Sequence, residues 1–169
     1  SSLYWGVGHM EDFLVDELDK NLTRNENLRV KILMDAYRGM RFTKPGSAYL
    51  NSFSMVNRLK VRNINRDVDI GLWRNSKQGL WNTLFRLTQL NEMLGVHHVK
   101  LAIFDNSVIL TGANMEEQYF LNRRDRYWII NDAEKFCDYL EDLVLTMLSN
   151  SVRNGFNDET IVPQLRRGV

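Results

Sequence analysis

Apolar residues recur along the chain at two spacings. Met10, Leu14, Leu18 and Leu22 fall four apart, the spacing of one helix face, and predict a helix after the Gly6-Val7-Gly8 turn. Ahead of that turn, Leu3, Tyr4 and Trp5 read as a short buried strand. Leu28-Arg29-Val30-Lys31-Ile32-Leu33-Met34 is dense in branched residues and predicts a second strand, ending at Asp35 and a loop that carries Arg38-Gly39-Met40-Arg41 and Pro45-Gly46. Two strands joined through one helix favour a parallel crossover.

Further along, Tyr49, Phe53, Val56 and Lys60 share a helical spacing. Val68, Ile70 and Leu72 then alternate with Asp67, Asp69 and Gly71, which predicts a strand with one wet face. Leu80, Trp81, Leu84, Phe85 and Leu87 predict a helix running towards Gly95, a residue type that commonly closes helices. Val96 to Phe104 and Val108 to Leu110 read as strands around a tight Asp105-Asn106-Ser107 hairpin. A short helix from Glu116 to Phe120, a strand from Arg126 to Ile130 and a last helix from Asn131 or Asp132, with Phe136, Leu140, Leu143 and Met147 on one side, complete the order. Strands alternating with helices predict an α/β domain whose mixed β-sheet is flanked by helices.

With 169 residues, 44% of them hydrophobic, the chain has enough core for one domain and too little for two. That domain is assigned to residues 1–150, and the polar stretch from Ser149 to Asp158 marks 151–169 as a linker. No internal repeat or low-complexity segment interrupts it. Because 22 basic and 21 acidic residues leave a formal charge of +1, the chain lacks the strong positive field of a dedicated nucleic-acid binder. Cys137 stands alone, which fits a reducing compartment and a buried structural thiol. No apolar run approaches the roughly 20 residues needed to cross a bilayer, so a lipid substrate would be reached from the surface. Opening on a strand and ending without a closing signal, the chain reads as a piece of something longer.

His98-Val99-Lys100 followed by Asp105 gives the pattern H-x-K-x4-D, with Gly112-Ala113-Asn114 just downstream. On a strand, residues two apart share a face, so His98 and Lys100 are expected to project together and His97 to point the other way, without a catalytic role. An imidazole beside an ammonium suits nucleophilic attack on phosphorus, since the fixed charge offsets charge growing on the phosphoryl oxygens. Asn114 would add a neutral donor to those oxygens. An isolated His-x-Lys is usually an ordinary exposed strand; three residues at fixed spacing on strand, turn and strand favour function.

This pattern resembles the HKD signature of the phospholipase D superfamily. The longer string from His98 to Asn114, with Tyr119-Phe120 and Asn122-Arg-Arg-Asp-Arg-Tyr127, is similar to the phosphatidylglycerophosphate synthases of that superfamily, as are Ser2-Leu3-Tyr4, Gly6-Val7-Gly8, Asp35 and Arg38-Gly39-Met40-Arg41. The resemblance implies a phospholipase-D-like domain carrying one HKD half-site, in which His98 forms a covalent phosphohistidine and a second copy of the motif supplies the acid. One departure stands out: the superfamily's G-S-x-N is contracted here to Gly112-Ala113-Asn114. If the contraction is general, the acidic residue that orients the histidine should also come one place early, where Asp125 stands. Asp125 also reads as a surface charge paired with Arg123 or Arg126. Asp105, at the hairpin tip, is expected to hold the turn as much as to touch substrate. Arg38 and Arg41 are candidates for gripping a phosphate, with solvated arginines as the even alternative. The basic run from Arg58 to Arg66 reads as a solvated helix end rather than a membrane or nucleic-acid surface.

By resemblance, the expected activity is phosphatidyl transfer from CDP-diacylglycerol to glycerol 3-phosphate with release of CMP. Neither cofactor nor metal is implied, and nucleic acid is not an expected partner. The expected setting is peripheral, on the matrix side of the mitochondrial inner membrane. The second HKD half would come from the same polypeptide or from a homodimer mate. Two alternatives remain open: a homodimeric HKD phosphodiesterase or nuclease, and a non-catalytic membrane-surface scaffold that keeps the fold.

Overall fold

The computed structural model of the chain describes residues 1–43, 47–74 and 95–152. In chain order it contains α1 (His9–Arg24), β1 (Val30–Asp35), α2 (Ala36–Gly39), α3 (Ser52–Arg62), β2 (Val68–Trp73), β3 (Leu101–Phe104), β4 (Ser107–Thr111), α4 (Glu117–Leu121), β5 (Tyr127–Ile130) and α5 (Glu134–Ser149). The helix expected around Leu80 to Leu87 lies outside the described residues, as does 153–169 of the expected linker.

Strand parity explains the layering. β1 pairs in parallel with β2, Val30 opposite Val68 and Asp35 opposite Trp73. Val30, Ile32 and Met34 point to one side, where Val15 and Leu22 of α1 and Phe53, Met55, Val56 and Leu59 of α3 bury them. Leu33 points to the other side, into a second cluster with Leu101, Val108 and the α5 residues Cys137, Leu140, Val144 and Leu148. Cys137 is thus a buried packing residue. Helices therefore cover both faces of the parallel pair, as buried parallel strands require.

β2 departs from expectation at its second face. That face is covered by the end of α5: a Cβ added to Gly71 would stand 2.4 Å from Leu148 Cδ1 and 2.0 Å from Ser151 Oγ. Alternation with glycine signals a close helix approach here, not water. Val152 continues the contact, pairing antiparallel with Leu72, so the segment expected as linker begins docked on the sheet. Gly71→Val should overpack this contact by about 1–3 kcal/mol and lower Tm by roughly 5 °C. Thermal unfolding followed by circular dichroism checks this, and an unchanged Tm would mean that α5 does not rest on β2.

β3, β4 and β5 form a separate antiparallel sheet, closed at one end by a two-residue hairpin in which Asp105 has φ 51°. The expected strand at Leu3 to Trp5 is not a ladder but a splice between the sheets. Ser2 N donates to Leu33 O (3.0 Å) and Asp35 N to Leu3 O (3.1 Å), while Leu101 N donates to Ser1 O (3.1 Å) and Gly6 N to Met115 O (2.6 Å). These are isolated bridges between segments far apart in sequence, and together they join the parallel pair and the antiparallel sheet.

Three other boundaries differ from the sequence pattern. α3 begins at Ser52, since Asn51 caps it by accepting from Ser54 N at 2.8 Å, and Tyr49 lies outside the helix. α5 begins at Glu134, after Asp132 has turned the chain with φ 53°. The expected loop after Asp35 opens with the four residues of α2. The basic run of α3 faces α1: the Arg58 guanidinium meets Asp12 at 2.6 Å and Asp16 at 3.2 Å and lies over the Tyr49 ring at 5.3 Å, and Arg62 meets Asp19 at 3.2 Å. Its charge is largely matched within the fold.

Candidate active site

The site forms at the carboxyl end of β1, beside the splice. Asp35, the last residue of β1, is 1% exposed. Its Oδ1 accepts from Arg38 N at 3.0 Å and caps α2; its Oδ2 accepts from His97 N at 2.9 Å. Burial pushes the Asp35 carboxyl above its ordinary value, against the lowering effect of these amides and of the Arg38 charge.

His97 is held at three points. Besides its amide, its Nε2 is hydrogen-bonded with Ser1 Oγ, and its ring lies 6.0 Å from that of Trp73. Burial brings its pKa down to about 4. Turned inward as expected, it acts as an anchor, and the neighbouring His98 is left exposed. Partial desolvation of the His98 ring, then the charges of Lys100 and Arg38, lower its pKa below the ordinary histidine value. At neutral pH the imidazole is therefore mostly uncharged and carries a free nitrogen lone pair.

Lys100 reaches the same corner by a route other than strand parity. β3 starts only at Leu101: the His97 amide is taken by Asp35, and at the open end of the β3–β4 pair Thr111 N donates to Lys100 O at 3.3 Å. Lys100 is 6% exposed, and its Nζ donates to His98 O at 2.9 Å. Desolvation lowers its pKa while Asp125 works the other way. Asp125 thus stands near Lys100. Its carboxylate accepts from Arg126 N at 2.7 Å, and a Cβ on Gly112 would lie 3.1 Å from both its oxygens. The expected hydrogen bond from His98 to Asp125 is not among the contacts formed; the Asp125 charge acts instead on Lys100, partly opposing the effect of its burial.

Asn114 follows the end of β4, two residues beyond Gly112, and is 8% exposed; its Oδ1 is buried with no hydrogen-bond partner among the described residues. Such an orphan acceptor costs about 1–3 kcal/mol and suits a bound group that brings a donor, leaving the side-chain NH₂ to face an acceptor. Glu11 braces this loop from behind, fully buried, accepting from Gly8 N at 2.9 Å and from Glu117 N. At the rim, the Tyr4 hydroxyl donates to Glu116 Oε2 at 2.5 Å, and desolvation with that carboxylate pushes its pKa up to about 12.

The charges of Lys100 and Arg38 therefore reach His98, and that of Asp125 reaches Lys100. Asp105 lies apart, at the hairpin tip, at the far end of β3 from His98, where its positive φ fits the turn role. Arg41 is exposed beyond α2, with its amide on Arg38 O at 3.4 Å. The clamp by Asp35 and the anchoring of His97 escaped the sequence reading, although an Asp closing an apolar strand is a helix N-cap signal. Chemically, the corner offers an exposed, mostly uncharged imidazole within the field of two cations, which suits attack on an anionic phosphorus centre.

No family model matches the chain. The mitochondrial CDP-diacylglycerol–glycerol-3-phosphate 3-phosphatidyltransferase of Homo sapiens is 38% identical over 151 residues, covering 85% of this chain and 26% of that protein. The CDP-diacylglycerol–glycerol-3-phosphate 3-phosphatidyltransferase of Saccharomyces cerevisiae is 35% identical over 139 residues, covering 82% of this chain and 25% of that protein. The chain is homologous to one segment of these transferases. It spans about a quarter of the length of the curated relatives it matches. Among solved structures, NucT from Helicobacter pylori superposes with TM-score 0.57 at 14% identity, covering 90% of this chain and 79% of that one. Phosphatidylserine synthase from Haemophilus influenzae gives 0.56 at 20% identity, covering 98% and 37%. The fold is phospholipase-D-like. In this phospholipase-D-like domain, the His98 corner sits where the two parts of the mixed sheet meet.

Proposed function

We propose that the protein carrying this chain is a phosphatidyltransferase that makes phosphatidylglycerophosphate from CDP-diacylglycerol and glycerol 3-phosphate, releasing CMP. The observation that carries this reading is the 38% identity to an enzyme of that name over 85% of the chain, including the segment that holds His98. A neutral His98 nitrogen attacks the phosphorus that bears diacylglycerol; the phosphorus–nitrogen bond forms as the bond to the CMP oxygen breaks. CMP departs with a proton from an acid on a second HKD half, supplied by the rest of a longer polypeptide or by a homodimer mate. The primary hydroxyl of glycerol 3-phosphate then attacks phosphorus, gives its proton to that same group and frees His98. Lys100 and Arg38 offset charge on the phosphoryl oxygens, and Asn114 contacts them. The Asp125 charge favours the charged form of Lys100.

The proposed setting is mitochondrial, as named for the human relative, with peripheral contact on the matrix face of the inner membrane. No helix among the described residues is long and apolar enough to cross a membrane.

The test is CMP release from CDP-diacylglycerol in the presence and absence of glycerol 3-phosphate, using the full-length protein and this chain separately. Acceptor-dependent release by the full-length protein with a silent chain supports the two-half reading. Release by the chain alone assigns the second half to a homodimer. Failure of the full-length protein to use this donor, with hydrolysis of nucleic acid instead, rules out the transferase.

A further inference from the structure

We infer that Asp35 is a positioning residue for the reaction: one buried carboxylate sets both the backbone that carries His98 and the helix that carries Arg38. The inference rests on the reading of His98 as nucleophile. Capping α2 needs one oxygen, and Ser, Asn or Thr would serve. Asp35 uses two, and the second crosses 62 positions to the amide immediately before His98. Its own amide holds Leu3 O at 3.1 Å, so the same residue also fixes the splice between the sheets.

Burying a carboxylate with amide partners is costly, and an apolar residue at the end of β1 would avoid the cost. What the carboxylate supplies instead is a fixed distance between two groups on different segments. Asn cannot substitute, because it offers one acceptor oxygen where two N–H groups point, and its amide hydrogens would face the second. Ser keeps the cap and loses the reach to His97.

Displacement of a nucleophile by about 1 Å can cost about 100-fold in rate. In the full-length protein, Asp35→Ser and the nearly isosteric Asp35→Asn are therefore expected to lower kcat for CMP release by about 10- to 100-fold, with KM changed less than about twofold. Hydrogen exchange supplies a readout independent of activity. Peptides covering His97 and His98 should exchange faster in both variants, while those from α5 stay protected. Wild-type kcat in the two folded variants would overturn the inference, whatever the exchange shows. So would unchanged exchange at His97, since the clamp would then not exist. Loss of α5 protection in both variants would make Asp35 a global stability residue and also overturn it. Should His98→Ala keep its activity, the transferase reading falls separately, and exchange at His97 still reports whether the clamp is real.

Discussion

His98→Ala should reduce CMP release by the full-length protein about 10⁴-fold or more while leaving its fold unchanged. The rate loss is large because no nearby group can replace the imidazole. His97 is adjacent in sequence, but its amide is clamped by Asp35, its Nε2 is engaged by Ser1 Oγ and its ring is packed near Trp73. Reaching the same phosphorus would require breaking all three contacts. Lys100, the amine in the corner, donates to His98 O, and the Asp125 charge favours its charged form. The structural loss is small because the His98 side chain is exposed, and changes at such positions usually stay within about 0.5 kcal/mol. Single-turnover CMP release together with a thermal melt checks both halves. A residual rate within tenfold of the wild type would place the attacking group elsewhere.

Lys100→Met should lower kcat/KM by about 10²–10³-fold and move the acid limb of its pH profile upward. Methionine keeps much of the buried stem and removes the charge. The sign of the pH effect follows from His98. Its pKa lies below the ordinary value of about 6.5 because of desolvation first and the Lys100 and Arg38 charges second. The attacking form is the neutral one, so a lowered pKa extends activity to more acid conditions. Without the Lys100 charge the histidine pKa rises, and rate is lost at a higher pH than in the wild type. A profile of kcat/KM from pH 4.5 to 8 measures this directly. An acid limb left in place would show that the Lys100 charge does not reach His98.

Much of this was legible from residues alone where the determining contacts are local. The apolar run through Val30 to Met34 located β1, and Asp105-Asn106 located the hairpin, because side-chain parity and turn chemistry act over a few residues. His98 and Lys100 were legible as a pair, but the reason was not: they meet through a lysine folding back onto a carbonyl, not through two strand faces. Gly71 misled because alternation alone does not distinguish a solvated position from one left small for a helix. Asp125 was placed by analogy against His98 and lies by Lys100 instead. Asp35 was hidden for a deeper reason. Its partner is a backbone amide far along the chain, and backbone groups leave no mark in the sequence at that distance.

The splice at the start of the chain also bears on how the domain folds. α1, β1, α3 and β2 can close through contacts between near neighbours in sequence, and the β3–β4–β5 meander can do the same. The contacts that bring these two parts together, Ser1 with His97 and Asp35 with His97, span 96 and 62 positions. Closing such distant pairs carries the largest loop entropy and generally comes late. The corner that holds His98 depends on these long-range closures, so a chain that has formed its helices and strands but not the splice would have no positioned nucleophile.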